Sequence, residues 1–127
     1  MKLLLMMLAL ATAQTEPPAT AQAAPRQLFL FVYRPGPAWI AGQPMAQQNL
    51  REHGAYHARL VREGRSVAGG GFVGMDGGMA IVRAADLAEA QAMLAADPAI
   101  RNGVFAADLR HWQPRFDSGQ PLADRQP

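Results

Sequence analysis

The segment from Gln27 to Arg34 constrains the fold most, because its sequence, QLFLFVYR, is apolar or aromatic at every position between its two ends. It is rich in aromatic and β-branched residues and lies between Pro25 and Pro35, which favours a strand over a helix. An unbroken apolar run is typical of a strand that is buried on both faces. Met79 to Arg83 is a shorter run of the same kind, so we expect these two strands in the middle of a sheet.

The remaining segments give the order of elements. Gly64 ends a first helix, and Asp86 with Glu89 forms a capping-box pattern at the start of a second. Asp97-Pro98 is interpreted as structural, with Asp capping a short final turn that has Pro at its first position. The predicted elements are a strand at 27–34, a helix at 44–63, strands at 65–71 and 79–83, a helix from 86 to near 97 and a strand at 104–112.

This β-α-β-β-α-β order is that of the ferredoxin-like α+β sandwich. With right-handed crossovers, strands one and three lie in the middle of the sheet and strands two and four at its edges. Two helices cover only one face of such a sheet, so the apolar central strands need a cover on the other face. We therefore expect a homodimer that packs sheet against sheet, as in a dimeric α/β barrel.

The first 26 residues have a different character. Met1-Lys2, the apolar run from Leu3 and the small residues Ala11-Thr12-Ala13 form the three parts of a secretory signal. The run is shorter than the roughly 20 residues that a membrane-spanning helix needs. We predict a signal peptide at 1–13, a Pro/Ala-rich linker at 14–26, the folded domain at 27–115 and a flexible tail at 116–127, with export to the periplasm or outside the cell. Cleavage after 21 or 23 also fits the pattern.

Composition excludes several kinds of site. The chain has no cysteine, which removes disulfides and thiol chemistry. Lys2 is its only lysine, and its arginines are scattered among acidic and apolar residues, whereas a nucleic-acid surface needs a clustered basic face. We expect no nucleic-acid partner and no membrane association after signal cleavage.

Six glycines lie between Ala68 and Gly78, and from Gly69 to Gly74 they spell G-x-G-x-x-G. In a dinucleotide site this motif opens a helix whose N–H groups hold the phosphates. Here it leads into the strand at 79–83, so it is interpreted as a strand-to-strand connection. Gly69 to Gly71 would let another group approach the backbone closely.

Candidate chemistry concentrates on the first helix. At 100° per residue one face carries two histidines among apolar residues, namely Ala46, Leu50, His53, His57, Leu60 and Val61. Histidines four residues apart can share a metal, with His111 as a further candidate. The zinc-protease motif would need Glu after His53, where the chain has Gly54, and we predict no metal. Each histidine could instead be a hydrogen-bonded core residue.

A set of short motifs in a characteristic order resembles the YCII-related domain family over roughly Leu28 to Pro114. They are His53-x-x-Tyr56-x-x-x-Leu60-x-x-x-Gly64-Arg65, Ala68-Gly69-Gly70, Asp76-Gly77-Gly78, Ala90, Asp97-Pro98, Gly103 and Trp112-x-Pro114. The resemblance implies a ferredoxin-like dimeric α+β barrel with a His-Asp active site, which falls on His53 and Asp76. Family members include small enzymes that act on aromatic or lactone-like molecules, among them a dehydrochlorinase. This chain departs from the family in having Gly70 where proline is common, in adding His57, and in its export signal.

The resulting hypothesis is a cofactor-independent lyase, isomerase or hydrolase in which His53 is the general base and Asp76 orients its ring. The residues expected to line the substrate pocket are Tyr33, Trp39, Arg51, His57 and Gly70, with Arg51 as a cation for an acidic or aromatic ligand. The alternative is a non-catalytic, dimeric small-ligand-binding module of the cell envelope.

Overall fold

The computed structural model describes residues 26–120 and residue 122. The predicted signal peptide at 1–13, the linker apart from Arg26, and residues 121 and 123–127 of the predicted tail lie outside the described residues. Among the helices of the described part, none is long and apolar enough to cross a membrane.

The fold is an α+β sandwich with one open, antiparallel sheet, in which the four strands, counted along the chain, lie in the order second, third, first, fourth. This order confirms the prediction that the first and third strands are central, and it is consistent with a ferredoxin-like arrangement. The elements are β1 (Gln27–Pro35), α1 (Arg51–Arg62), β2 (Ser66–Gly71), β3 (Gly78–Ala84), α2 (Leu87–Ala95), α3 (Pro98–Arg101) and β4 (Phe105–Trp112), with a 3-10 turn at Met45–Gln47 before α1.

The two faces of β1 have different neighbours, because successive side chains of a strand point to opposite faces of the sheet. Phe29, Phe31 and Tyr33 are buried on the helix side and belong to the core. Leu28, Leu30 and Val32 are only half-buried on the other side, where they are in register with Arg83, Ile81 and Met79 of β3. In the single chain, the apolar pattern of the central strands therefore leaves one sheet face uncovered by helices.

The start of α1 differs from the prediction of a continuous helix from Pro44. The chain makes one 3-10 turn and then becomes extended at Gln48, and α1 begins at Arg51. The buried Gln48 side chain explains the break. Its Oε1 accepts a hydrogen bond from Ile40 N at 2.8 Å, and its Nε2 donates to Ile40 O at 2.9 Å and to Gln43 O at 3.0 Å. These bonds fix the loop before α1 and prevent the helix from starting earlier.

The second helix begins as its capping pattern predicts. Asp86 accepts a hydrogen bond from Glu89 N at 2.8 Å, while the Glu89 carboxylate accepts from Ala85 N at 2.6 Å. The helix ends at Ala95, and the chain re-enters a short helix at Pro98. This interruption carries Asp97 into the interior, next to α1.

Candidate active site

A buried carboxylate is the centre of the site. Asp97 has a side-chain exposure of 1%, and it is the N-cap of α3, where its Oδ1 accepts a hydrogen bond from Ala99 N at 2.9 Å. Pro98 occupies the first turn of α3, where a missing N–H costs nothing. The predicted capping role of Asp97 is confirmed, but the cap uses only part of its hydrogen-bonding capacity.

Two histidines of α1 face this carboxylate. His53 and His57 lie one helical turn apart, which places both rings on the same side of the helix. His53 Nδ1 is 2.9 Å from each oxygen of Asp97, and His57 Nε2 is 3.1 Å from Oδ2. The two imidazole rings are 4.6 Å apart between centroids.

Tyr33 completes the group from β1. Its hydroxyl donates to Asp97 Oδ2 at 2.9 Å and lies 2.9 Å from His57 Nε2. The Tyr33 ring meets both imidazoles edge to face. We call these four residues, Tyr33, His53, His57 and Asp97, the His-Asp cluster. Three different elements contribute to it, and among the described residues every buried side-chain nitrogen or oxygen has a hydrogen-bond partner.

The geometry assigns a proton to one nitrogen of each ring. An ionised carboxylate only accepts hydrogen bonds, so the contact from His53 Nδ1 requires a proton there and leaves Nε2 as its free nitrogen. The single Tyr33 proton is donated to Asp97, so the Tyr33 oxygen is an acceptor for His57 Nε2. His57 therefore carries its proton on Nε2 and has Nδ1 free.

The cluster perturbs the ionisation of its acidic members. Burial raises the pKa of Asp97, but hydrogen bonds from His53, His57 and the Ala99 N–H, together with the electrostatic attraction of His53, outweigh burial and hold the pKa well below its usual range. Burial, followed by the charge and the hydrogen bond of Asp97, raises the pKa of Tyr33 far above its usual value. At neutral pH the centre of the cluster is thus a carboxylate held beside a neutral phenol.

A cavity of about 640 Å³ opens beside the cluster, between α1 and the β2–β3 pair. Tyr33, His53 and His57 contribute to its wall. Most of the rest of the wall is apolar or lacks side chains: Met45, Ala46, Leu50, Ala58, Val61, Gly69, Gly70, Gly71, Gly78, Met79, Ala80 and Phe105. The volume is in the range that small-molecule sites usually have.

The glycines explain why there is space on the sheet side. Gly69 is opposite Ala80, and Gly71 is opposite Gly78, so these neighbouring positions carry at most a methyl group. A Cβ at Gly71 would lie 3.4 Å from the end of the Met45 side chain, and one at Gly69 would lie 3.4 Å from the Ala80 methyl. The glycine-rich segment thus forms part of the cavity wall, and in the structure it joins two strands, as the sequence predicts.

The carboxylate partner of His53 is not the one predicted. Asp76 is exposed on the connection between β2 and β3, and it is not among the described residues that line the cavity. The carboxylate of Asp97 occupies the position beside His53 Nδ1. The predicted His53–Asp76 dyad is therefore corrected to a His53–Asp97 pair, because the α2–α3 boundary packs against α1 whereas the hairpin turn projects into solvent.

The other predicted lining residues divide into two groups. Tyr33, His57 and Gly70 are at the cavity. Trp39 instead stacks on Phe105 with ring centroids 5.5 Å apart, and Arg51 is exposed in the first turn of α1. Neither Trp39 nor Arg51 is among the described lining residues, so the expected aromatic wall and cation are not supplied by them.

Three donor atoms of the cluster are close enough to hold a metal ion. One ligand atom each from His53, His57 and Asp97 lie within 4.8 Å of one another, and a metal would replace the two N–H protons that now point at the carboxylate. His111 lies elsewhere, stacked on Phe29 at 4.9 Å. Among the described residues, the His-Asp cluster forms a complete hydrogen-bonded network that can hold and move protons.

The comparisons with known proteins agree with this architecture. Residues 27–112 match the family model of the YCII-related domain. No curated protein and no solved structure matches the chain significantly.

Proposed function

Because the chain belongs to the YCII-related domain family over residues 27–112, and because its His-Asp cluster adjoins a cavity, we propose that it is a small-molecule enzyme. The reaction is a proton transfer by general acid/base catalysis, of the lyase, isomerase or hydrolase type, on a small aromatic or lactone-like substrate. The observation that carries the proposal is the 2.9 Å contact between His53 Nδ1 and the buried Asp97 carboxylate.

In this mechanism His53 is the catalytic base. With its Nδ1 proton donated to Asp97, the Nε2 lone pair is free to take a proton from a substrate in the cavity. The imidazolium that forms is stabilised by the adjacent carboxylate, which also fixes the ring orientation. Asp97 and Tyr33 are positioning residues, since Tyr33 donates to the same carboxylate and limits its rotation.

The first test compares two aspartate variants over a panel of aryl esters, lactones and halogenated phenols. Asp97→Asn removes the charge beside His53, whereas Asp76→Asn makes the same change on the exposed turn and serves as the matched control. We expect turnover of at least one panel compound, a loss of about 10²-fold or more in Asp97→Asn and in His53→Gln, and unchanged turnover in Asp76→Asn. Turnover that survives His53→Gln in folded protein would refute the proposal.

We also propose that the open sheet face is the interface of a homodimer. Support comes from the half-buried apolar side chains Leu30, Val32, Met79 and Ile81, which lie on the side away from the helices. Light scattering on the purified protein should give the mass of a dimer. Leu30→Arg should shift it toward the monomer, whereas Ala55→Arg, on the exposed side of α1, should not. A monomeric mass for the unchanged protein at micromolar concentration would contradict this interface.

Export is proposed from the sequence of residues 1–13, which has the three parts of a secretory signal. The N-terminus of the protein recovered from the periplasm or the medium should begin after Ala13, Ala21 or Ala23. Recovery in the cytoplasm with Met1 intact would contradict the proposal.

A further inference from the structure

The side chains that line the cavity carry few charges. No lysine, arginine, aspartate or glutamate is among the described residues that line it. The arginine nearest in sequence to β2, Arg65, is directed into ion pairs with Glu63 and Glu89 at 3.7 and 3.2 Å. The ionisable groups at the cavity wall are Tyr33, His53 and His57, and the Asp97 carboxylate behind them is negative at neutral pH.

The absence of cationic side chains among the described lining residues disfavours an anionic ligand. A carboxylate or phosphate moved from water into the cavity would lose its hydration, meet apolar side chains and lie near another negative charge. Protonation of one histidine would at most neutralise Asp97, and no arginine fork is available among the lining residues to bind the anion in bidentate fashion. The cost of desolvating the anion would remain without compensation.

The cluster instead presents hydrogen-bond acceptors to a ligand. Its N–H and O–H protons are directed inward to Asp97, so the groups left over are the lone pairs of His53 Nε2 and His57 Nδ1. An acceptor binds a donor, and an O–H or N–H group on the ligand is the matching partner.

We propose that the cavity selects an uncharged, flat, apolar molecule that carries a hydrogen-bond donor, and that it rejects anions of the same shape. The flat shape follows from the sheet-side wall, where Gly69 and Gly70 carry no side chains and a ring can lie against their backbone. The inference rests on the proposed use of the cavity as the substrate site, and it adds the charge and the polarity of the substrate.

Three probes of one shape test it by isothermal titration calorimetry at neutral pH: 2-naphthol, which is uncharged and has a donor, 2-methoxynaphthalene, which lacks the donor, and 2-naphthoate, which is an anion. The methyl NMR signal of Met45, which lines the cavity, reports binding there. The signals of the exposed Met75 and the core residue Met93 are controls.

We expect 2-naphthol to shift the Met45 signal and to bind about tenfold or more tightly than 2-naphthoate, because burying an unpaired charge is costly. It should also bind several-fold more tightly than 2-methoxynaphthalene. Equal or tighter binding of 2-naphthoate in the cavity would overturn the charge selection, and equal binding of the methyl ether would overturn the donor requirement. If none of the probes shifts the Met45 signal, the cavity is no ligand site, and the proposed function fails with the inference. Binding without turnover of any panel compound would leave the selectivity standing and refute the enzyme.

A reversal experiment provides the matched variants. Ala58→Lys introduces a cation at the cavity wall, and Ala55→Lys places the same side chain on a different surface of α1, beside Glu52 and Arg59. Ala58→Lys should raise the affinity for 2-naphthoate by about three- to tenfold and leave 2-naphthol nearly unchanged. Ala55→Lys should change neither. An equal gain in both variants would show that the anion binds through overall charge, and would overturn the assignment of the selectivity to the cavity.

Discussion

Replacing Asp97 by asparagine is the most informative perturbation, because it keeps the shape of the side chain and removes only its charge and one acceptor. Oδ1 can still accept from Ala99 N. In the unchanged protein the Tyr33 hydroxyl and the His57 Nε2–H both donate to Asp97 Oδ2. In the variant the amide nitrogen would occupy the place of Oδ2 and would face these two donors. The Tyr33 hydroxyl could rotate and His57 could change its tautomer, but the charge-assisted bonds would be lost.

The size of the effect follows from these contacts. Hydrogen bonds to a charged group contribute about 1.5–3 kcal/mol each, against about 1 kcal/mol for neutral ones. The carboxylate is almost fully buried, so solvent does not replace the missing partners. Loss of the charge from the bonds with His53, His57 and Tyr33, partly offset by rearrangement, is expected to lower the free energy of unfolding by about 2–4 kcal/mol at pH 7. Asp76→Asn, on an exposed turn, should change it by less than about 0.5 kcal/mol.

Urea unfolding of the unchanged protein and of the two variants, between pH 7 and pH 3 and at one protein concentration, measures the differences in the free energy of unfolding and their dependence on pH. The folded pKa of Asp97 is lowered, so its contribution is fully present above the unfolded value of about 4 and is lost as the pH falls toward the folded pKa. The difference in the free energy of unfolding between the unchanged protein and Asp97→Asn should therefore narrow by about 1.4 kcal/mol for each pH unit below about 4. A difference that is the same at pH 6 and pH 3 would refute the assignment of a charged, hydrogen-bonded Asp97.

Three further predictions concern the cluster and its supporting loop. Tyr33→Phe should cost about 1–3 kcal/mol in urea unfolding, because it removes one donor from the Asp97 carboxylate; a neutral effect would show that this hydrogen bond does not form. Long-range ¹H–¹⁵N NMR spectra should show the neutral ring of His53 protonated on Nδ1 and that of His57 on Nε2, and the same tautomer in both would contradict the network. Gln48→Ala removes three hydrogen bonds from the loop before α1 and should destabilise the fold by about 1–3 kcal/mol, measured by the same unfolding assay, with Gln47→Ala as the control.

Local patterns in the sequence were sufficient for most of the fold. The apolar run of β1 identified a central strand because it shows no alternation of polar and apolar residues, and the right-handed crossover rule then fixed the strand order. The Gly64 stop and the Asp86–Glu89 cap depend on residues three or four positions apart, so their signals are contained in short windows of the chain. Gly64 has a φ of +69°, which favours glycine at that position.

The start of α1 lay beyond such local patterns. Nothing in the periodicity of residues 44–63 marks Gln48 as a break, since glutamine is a good helix former. The break is caused by hydrogen bonds to Ile40 and Gln43, whose position depends on how the preceding loop folds over the domain. Helical propensity is a weak preference that such contacts override.

The candidate site shows the same division. The helical spacing correctly placed His53 and His57 on one face, and both reach the cavity. Their carboxylate is separated from His53 by 44 positions in the chain, so periodicity could not select between Asp76 and Asp97. A helix cap was a sufficient local explanation of the Asp97-Pro98 pair. The contacts of Asp97 with the two histidines therefore had no pattern of their own in the sequence.

The two roles of Asp97 link the fold to the proposed chemistry. As the N-cap of α3, its carboxylate is held in place by the Ala99 N–H, and the same carboxylate then holds His53, His57 and Tyr33. A capping bond made by the backbone does not depend on a ligand, so the acceptor for the histidine rings is in position before any substrate enters. Restricting the rings in advance reduces the entropy that must be lost when a substrate is aligned for proton transfer. An exposed carboxylate on a turn, such as Asp76, would have to be ordered in the same step, which is a physical reason for a site of this kind to use the capping residue.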